Sequence, residues 1–144
     1  MSRTLRVLLV DDDEDHVFLV RRALADLADL AGVAVAVEVA GDGDGEQALE
    51  RLARARFEPG GPPQLVLLDL RMPRMGGLEV LARIRAGEAT QRLPVVVLTS
   101  SERPEDREEA LRQGATWFVC KPTEGHRFRA EVQQLGERWA GLPS

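Results

Sequence analysis

Three consecutive carboxylates, Asp11, Asp12 and Asp13, follow one apolar run of this chain, and a further aspartate, Asp69, follows another. Thr99 and Ser100 end a third such run, and Lys121 ends a fourth, immediately before Pro122. Carboxylates, hydroxyls and a primary amine form a coherent set if the fold gathers them in one place. Like charges held a few ångströms apart repel strongly unless a cation or a proton intervenes. A hard divalent ion is the obvious remedy, and Mg²⁺ takes oxygen ligands with only a few protein carboxylates, leaving positions for water and a phosphoryl oxygen. Metal and phosphate together point to phosphoryl transfer, in which a protein contributes position and charge neutralisation more than covalent help. Asp69 can be the nucleophile, because a carboxylate forms an acyl phosphate directly. Lys121 can place a point charge on one phosphoryl oxygen, and the Thr99 hydroxyl can donate to another.

The elements that must position these groups are legible in the pattern around them. Five short segments rich in Val and Leu recur at Leu5 to Val10, Val33 to Val39, Leu65 to Leu68, Val95 to Leu98 and Trp117 to Val119. Helical spacing lies between them, as in Val17, Val20, Leu24, Leu27 and Ala31, or Ala48, Leu49, Leu52 and Ala53. A final stretch with Phe128, Val132, Leu135 and Trp139 at steps of four, three and four should close the fold. Gly and Pro clusters fall between these elements, with Glu58 to Pro63 a loop before the third strand. Strands alternating with helices predict an α/β fold, a (βα)₅ parallel sheet covered on both faces. In such a sheet ligands bind beyond the carboxyl ends of the strands, where Asp11, Asp12, Asp69, Thr99 and Lys121 all fall.

At 144 residues the chain is expected to form one domain, residues 1–144, with no room for a second. Its net charge of −5 argues against nucleic acid or an anionic membrane as partner, and no helix-turn-helix remains once the five βα units are counted. The lone Cys120 cannot form an internal disulfide, and no apolar run approaches the length of a bilayer span. The expectation is a soluble, cytoplasmic protein.

The motifs VLLVDDDED, LVLLDLRMPRMGG, VVVLTSS and WFVCKP, in this order at the ends of successive strands, resemble those of the receiver domains of response regulators. The resemblance spans nearly the whole chain. It implies a flavodoxin-like, doubly wound sheet of strand order 2-1-3-4-5 and a module that takes a phosphoryl group from a histidine kinase in a two-component system. Carried over residue by residue, it implies Asp69 as the phosphoacceptor and Mg²⁺ held by Asp12, Asp69 and the backbone carbonyl of Arg71, with Asp11 joining through water. It further implies Thr99 as the switch hydroxyl, Lys121 as the phosphate-binding lysine joined to Pro122 by a cis peptide bond, and Phe118 at the aromatic switch position. Phe118 lacks the hydroxyl of the tyrosine often found there, so a relay through a phenol is excluded. Arg71 and Ser101 stand where the family tunes access of the attacking water. DDDEDHVFLVRRAL, LDLRMPRMGGLEVL and RAEVQQLGERWAGLPS are most similar to the small regulators that partner with bacterial phytochromes. That subfamily implies a light-sensing kinase, output through an unknown downstream protein, and a homodimer through the region of the fourth helix, fifth strand and fifth helix.

Blander readings stand beside these. An aspartate after a strand often only caps the next helix, and Asp13 or Asp15 fits that role. Thr99 alone is an ordinary strand-end hydroxyl and Lys121 alone a surface charge. His16 and His126 read as helix-surface residues, Cys120 as a small buried apolar residue, Arg51, Arg54 and Arg56 as a solvated helix face, and Phe128 and Trp139 as packing residues. Two competing functions are an unphosphorylated interaction scaffold and a Mg²⁺-dependent phosphatase working through an aspartyl-phosphate. The phosphatase class normally needs a second aspartate two residues after the nucleophile as general acid, and Arg71 stands there instead.

Overall fold

The computed structural model describes residues 4–31, 34–40, 45–70, 75–99, 103–120 and Gln134. Strands and helices alternate along them: β1 Thr4–Val10, α1 Glu14–Ala31, β2 Ala34–Val39, α2 Gly45–Ala55, β3 Leu65–Leu68, α3 Gly77–Ala86, β4 Val95–Thr99, α4 Pro104–Arg112 and β5 Trp117–Cys120. All neighbouring strands are parallel, and the sheet order is β2-β1-β3-β4-β5. Each apolar segment read from the sequence forms a strand, with β4 and β5 running one residue further than their apolar runs. The expected closing helix around Phe128 to Trp139 lies outside the described residues.

Side chains on a strand alternate between its faces, and the sheet uses that alternation to feed two cores. Leu5, Val7 and Leu9 join Leu65, Leu67, Val96 and Leu98 on one face, beneath Val20, Ala23 and Leu24 of α1. Leu8, Val10, Val66, Leu68 and Val95 form the other, beneath Ala48 and Leu52 of α2 and Val80, Leu81 and Ile84 of α3. Because β3 and β4 are apolar on both faces and buried along their whole length, alternation alone cannot fix their register. The polar ends do so. The Arg6 N–H donates to Gln64 Oε1 at 3.0 Å and the Gln64 N–H returns to the Arg6 carbonyl at 2.8 Å. At the far end the Asp69 N–H donates to the Val10 carbonyl at 2.9 Å. A slip of one residue would pull Asp11 or Asp69 into the apolar layers, where an unpaired carboxylate costs several kcal/mol or more.

Two arginines fasten the periphery. Arg85, half-buried at the end of α3, donates to the carbonyls of Leu93 at 2.7 Å, Gly114 at 2.8 Å, Gln91 at 3.3 Å and Thr90 at 3.4 Å, and to Thr116 Oγ1 at 3.4 Å. One guanidinium thereby joins α3 to the loops entering β4 and β5. Burial among uncharged oxygens pushes its pKa down from the usual arginine value. Arg51 donates to Glu38 Oε1 at 2.7 Å and to Glu58 Oε1 at 2.8 Å, so it ties α2 to β2 and to the loop before β3. Its hydrogen bond to Glu38 raises its pKa. The expected solvated face of Arg51, Arg54 and Arg56 is therefore divided: Arg51 is a bridging residue, whereas Arg54 and Arg56 are exposed.

Candidate functional site

The sheet order reverses between β1 and β3, and the chain leaves both strands through carboxylates. Val10 and Leu68 are register partners, so the residues that follow them, Asp11 and Asp69, emerge side by side. Among the described residues the buried polar or charged side chains are Asp11, 3% exposed, Asp69, 7%, and Thr99, fully buried. Asp11, Asp12 and Asp69 each offer an oxygen within 4.8 Å of the others, although Asp12 itself is exposed. Two hard donors at the base and one at the mouth suit a divalent oxygen-liganded cation, and the donor set holds no softer atom. Thr99 ends β4 on the other side of β3, two residues beyond Val97, the partner of Leu68.

Local geometry explains how three aspartates in a row take three roles. Asp11 turns inward and its Oδ1 accepts the Asp13 N–H at 2.9 Å, which bends the chain out of β1. Asp13 then caps α1, its Oδ1 accepting the N–H groups of Asp15 at 2.9 Å and His16 at 3.3 Å. Asp13, not Asp15, is the cap, and Asp12 between them is left to reach the cluster. Beneath Asp69 the approach of α3 is equally tight. The Gly77 N–H donates to the Leu70 carbonyl at 3.1 Å, and a Cβ on Gly77 would lie 2.7 Å from Leu70 Cα and collide with the Asp69 carbonyl oxygen. Only glycine lets the helix start this close to the acidic loop.

His16 was read as a surface residue and the structure places it at the rim of the site. Its Nδ1 lies 3.5 Å from Asp13 Oδ2 and 3.8 Å from Asp11 Oδ2. The signal available in the sequence was the spacing of three residues from Asp13 on a helix, which puts the two side chains on one face. Phe118 sits on β5 opposite Val97 and is half-buried. Arg71, Ser100, Ser101, Lys121, Pro122 and His126 lie outside the described residues, as does the side chain of Cys120. Lys121 follows Cys120, the register partner of Thr99.

The family of response regulator receiver domains matches residues 7–133. The chain belongs to that family. A probable methanogenesis regulatory protein, FilR2 of Methanothrix harundinacea, is 35% identical to this receiver domain over 138 residues, which are 94% of this chain and 83% of that protein. Among solved structures, the Mn²⁺-bound form of the response regulator Rcp1 superposes with a TM-score of 0.82 at 26% identity, covering 97% of each chain. The phosphorylated cyanobacterial phytochrome response regulator RcpA superposes with a TM-score of 0.81 at 25% identity, covering all of this chain and 98% of that one. The receiver fold expected from the sequence is thus the observed one, and the acidic cluster fits a divalent metal site at the strand ends. Among the described residues no helix is long and apolar enough to cross a membrane.

Proposed function

We propose that this receiver domain accepts a phosphoryl group on Asp69 from a histidine kinase and signals through protein contacts. The observation that carries the reading is the convergence of Asp11, Asp12 and Asp69 within 4.8 Å at the carboxyl ends of β1 and β3. An Asp69 carboxylate oxygen attacks phosphorus, the bond from phosphorus to the kinase imidazole nitrogen breaks with its electron pair going to that nitrogen, and the ring, protonated on its other nitrogen, leaves as neutral imidazole. Asp12, Asp69 and the Arg71 carbonyl, with Asp11 joining through water, would hold Mg²⁺, which when bound would neutralise phosphoryl charge. Asp11 and Asp12 keep the acidic pocket formed, and burial at the base of the cleft keeps Asp69 from competing water. Lys121 pairs with a phosphoryl oxygen and Thr99 donates its hydroxyl to another, after which Phe118 changes its packing.

Rcp1 is a Mn²⁺-bound response regulator and RcpA a phosphorylated phytochrome response regulator, and their likeness to this chain over nearly its whole length supports both the Mg²⁺ requirement and a bacteriophytochrome-type light pathway here. Leu111 on α4 and Trp117 on β5 are large apolar side chains more than two-fifths exposed, which favours this face as the site of a homodimer or a downstream protein. The test is phosphotransfer from an autophosphorylated, radiolabelled bacteriophytochrome kinase. Label should pass to the wild-type chain and not to Asp69→Asn. Label on that variant, or none on the wild type from any kinase of this class, contradicts the proposal.

A further inference from the structure

Residues of the carboxyl-terminal parts of α2 and α3 and of the loop after α3 line a groove of about 400 Å³. Its floor is apolar, made by Leu49, Leu52, Ala53 and Ile84. Its wall is a built loop, because the Thr90 hydroxyl donates to the Ile84 carbonyl at 2.6 Å and Gly87 admits that hydroxyl where a Cβ would lie 2.8 Å from it. Two guanidiniums, Arg56 from the turn after α2 and Arg83 from α3, flank the floor, and Glu88 is the one acid among the lining residues. Arg83 forms no hydrogen bond or ion pair among the described residues, and Arg56 only lies against Phe57, 5.0 Å from the ring centroid. Phe57 beside it is 80% exposed, the most exposed large apolar side chain described.

This arrangement runs against the grain of the chain. A protein of net charge −5 sets two guanidiniums with no acid partner among the described residues around an apolar floor. Guanidiniums recognise carboxylates through paired N–H donors, and an apolar trough takes the side chains between them. We propose that the groove docks an acidic, apolar-anchored segment of a partner protein, its carboxylates on Arg56 and Arg83 and its apolar side chains on the Leu49, Leu52 and Ile84 floor. A polyphosphate backbone is a poorer match, since it would leave the apolar floor of Leu49, Leu52 and Ile84 without a partner. The groove lies at the opposite ends of α2 and α3 from Asp69, about 15 Å along a ten-residue helix, so docking does not rest on the acceptor role of Asp69.

The test uses the isotopically labelled full chain and two capped nine-residue peptides, one alternating Glu and Leu and one alternating Lys and Leu, followed by amide shifts. The Glu peptide should move resonances of α2, α3 and residues 87–90, with an affinity that falls at least tenfold in the Arg56→Glu, Arg83→Glu double variant. It should be unchanged in Arg21→Glu, an exposed reversal on α1, and in Asp69→Asn. Equal binding of the Lys peptide, shifts at the acidic cluster alone, no shifts, or full affinity in the double variant overturns the proposal. Self-association of the wild-type chain in sedimentation, dispersed by the same reversal, also overturns it and assigns the groove to a second copy.

Discussion

Replacing Gly77 with alanine should injure both the fold and its chemistry, because the added methyl group enters the space on which the Asp69 loop rests. A Cβ there would lie 2.7 Å from Leu70 Cα and 3.1 Å from the Asp69 carbonyl carbon, and would overlap the Asp69 carbonyl oxygen. These atoms belong to the backbone and cannot rotate aside, so the cost belongs near the upper end of overpacking penalties, about 3 kcal/mol. Alanine recovers at most about 1 kcal/mol of helix propensity over glycine. The net loss is about 2 kcal/mol, or about 6 °C in melting temperature for a chain of this length. If the loop instead yields, Asp69 moves by roughly an ångström, a displacement that can slow an oriented reaction about a hundredfold. Gly76→Ala is the internal control, since its Cβ would meet only the Leu70 carbonyl oxygen at 3.9 Å and should change stability by less than about 0.5 kcal/mol. Urea unfolding and the rate of phosphorylation by a small donor read the two effects. Parental stability and rate in Gly77→Ala, or an equal loss in Gly76→Ala, would refute the close-approach argument.

Other outcomes follow from the same geometry. Arg85→Ala should lose about 2 to 3 kcal/mol in urea unfolding, because the carbonyls of Leu93 and Gly114 lose their charged donor at a partly solvated site, and Arg85→Lys should recover less than half since an ammonium cannot fork across five acceptors. Asp13→Ala should cost about 1 kcal/mol through the lost α1 cap while leaving phosphorylation in place, which separates it from its neighbours Asp11 and Asp12. Mg²⁺ at ten times its dissociation constant should raise stability by about 1.4 kcal/mol in thermal unfolding, and Asp12→Ala should abolish that increment.

The sheet was legible because its strands are Val- and Leu-rich runs, and β1, β3, β4 and β5 give way to charged or hydroxyl residues, so composition marks both where those strands lie and where they stop. Strand order came from the resemblance of four motifs and not from periodicity, which carries no information about which parallel strands are neighbours. Asp11, Asp12 and Asp69 were readable for the same reason: a carboxylate directly after a Val- or Leu-rich run has only the sheet edge to occupy. The division of labour among Asp11, Asp12 and Asp13 was less accessible, since it depends on one backbone turn that sends alternate side chains inward and outward. His16 was missed because its relevance comes from two carboxylates reached across a helix start. Arg85 was missed because its partners are backbone carbonyls up to 29 residues away, which no side-chain pattern announces.

On the proposed function, Asp11 and Asp12 converge on Asp69 so that it can take a phosphoryl group. Intact-protein mass after incubation with acetyl phosphate, with and without Mg²⁺ and beside Asp69→Asn, tests it most directly. One Mg²⁺-dependent phosphoryl adduct is expected on the wild type and none on the variant. An adduct that persists in Asp69→Asn, or one that forms equally well without a divalent cation, would contradict it.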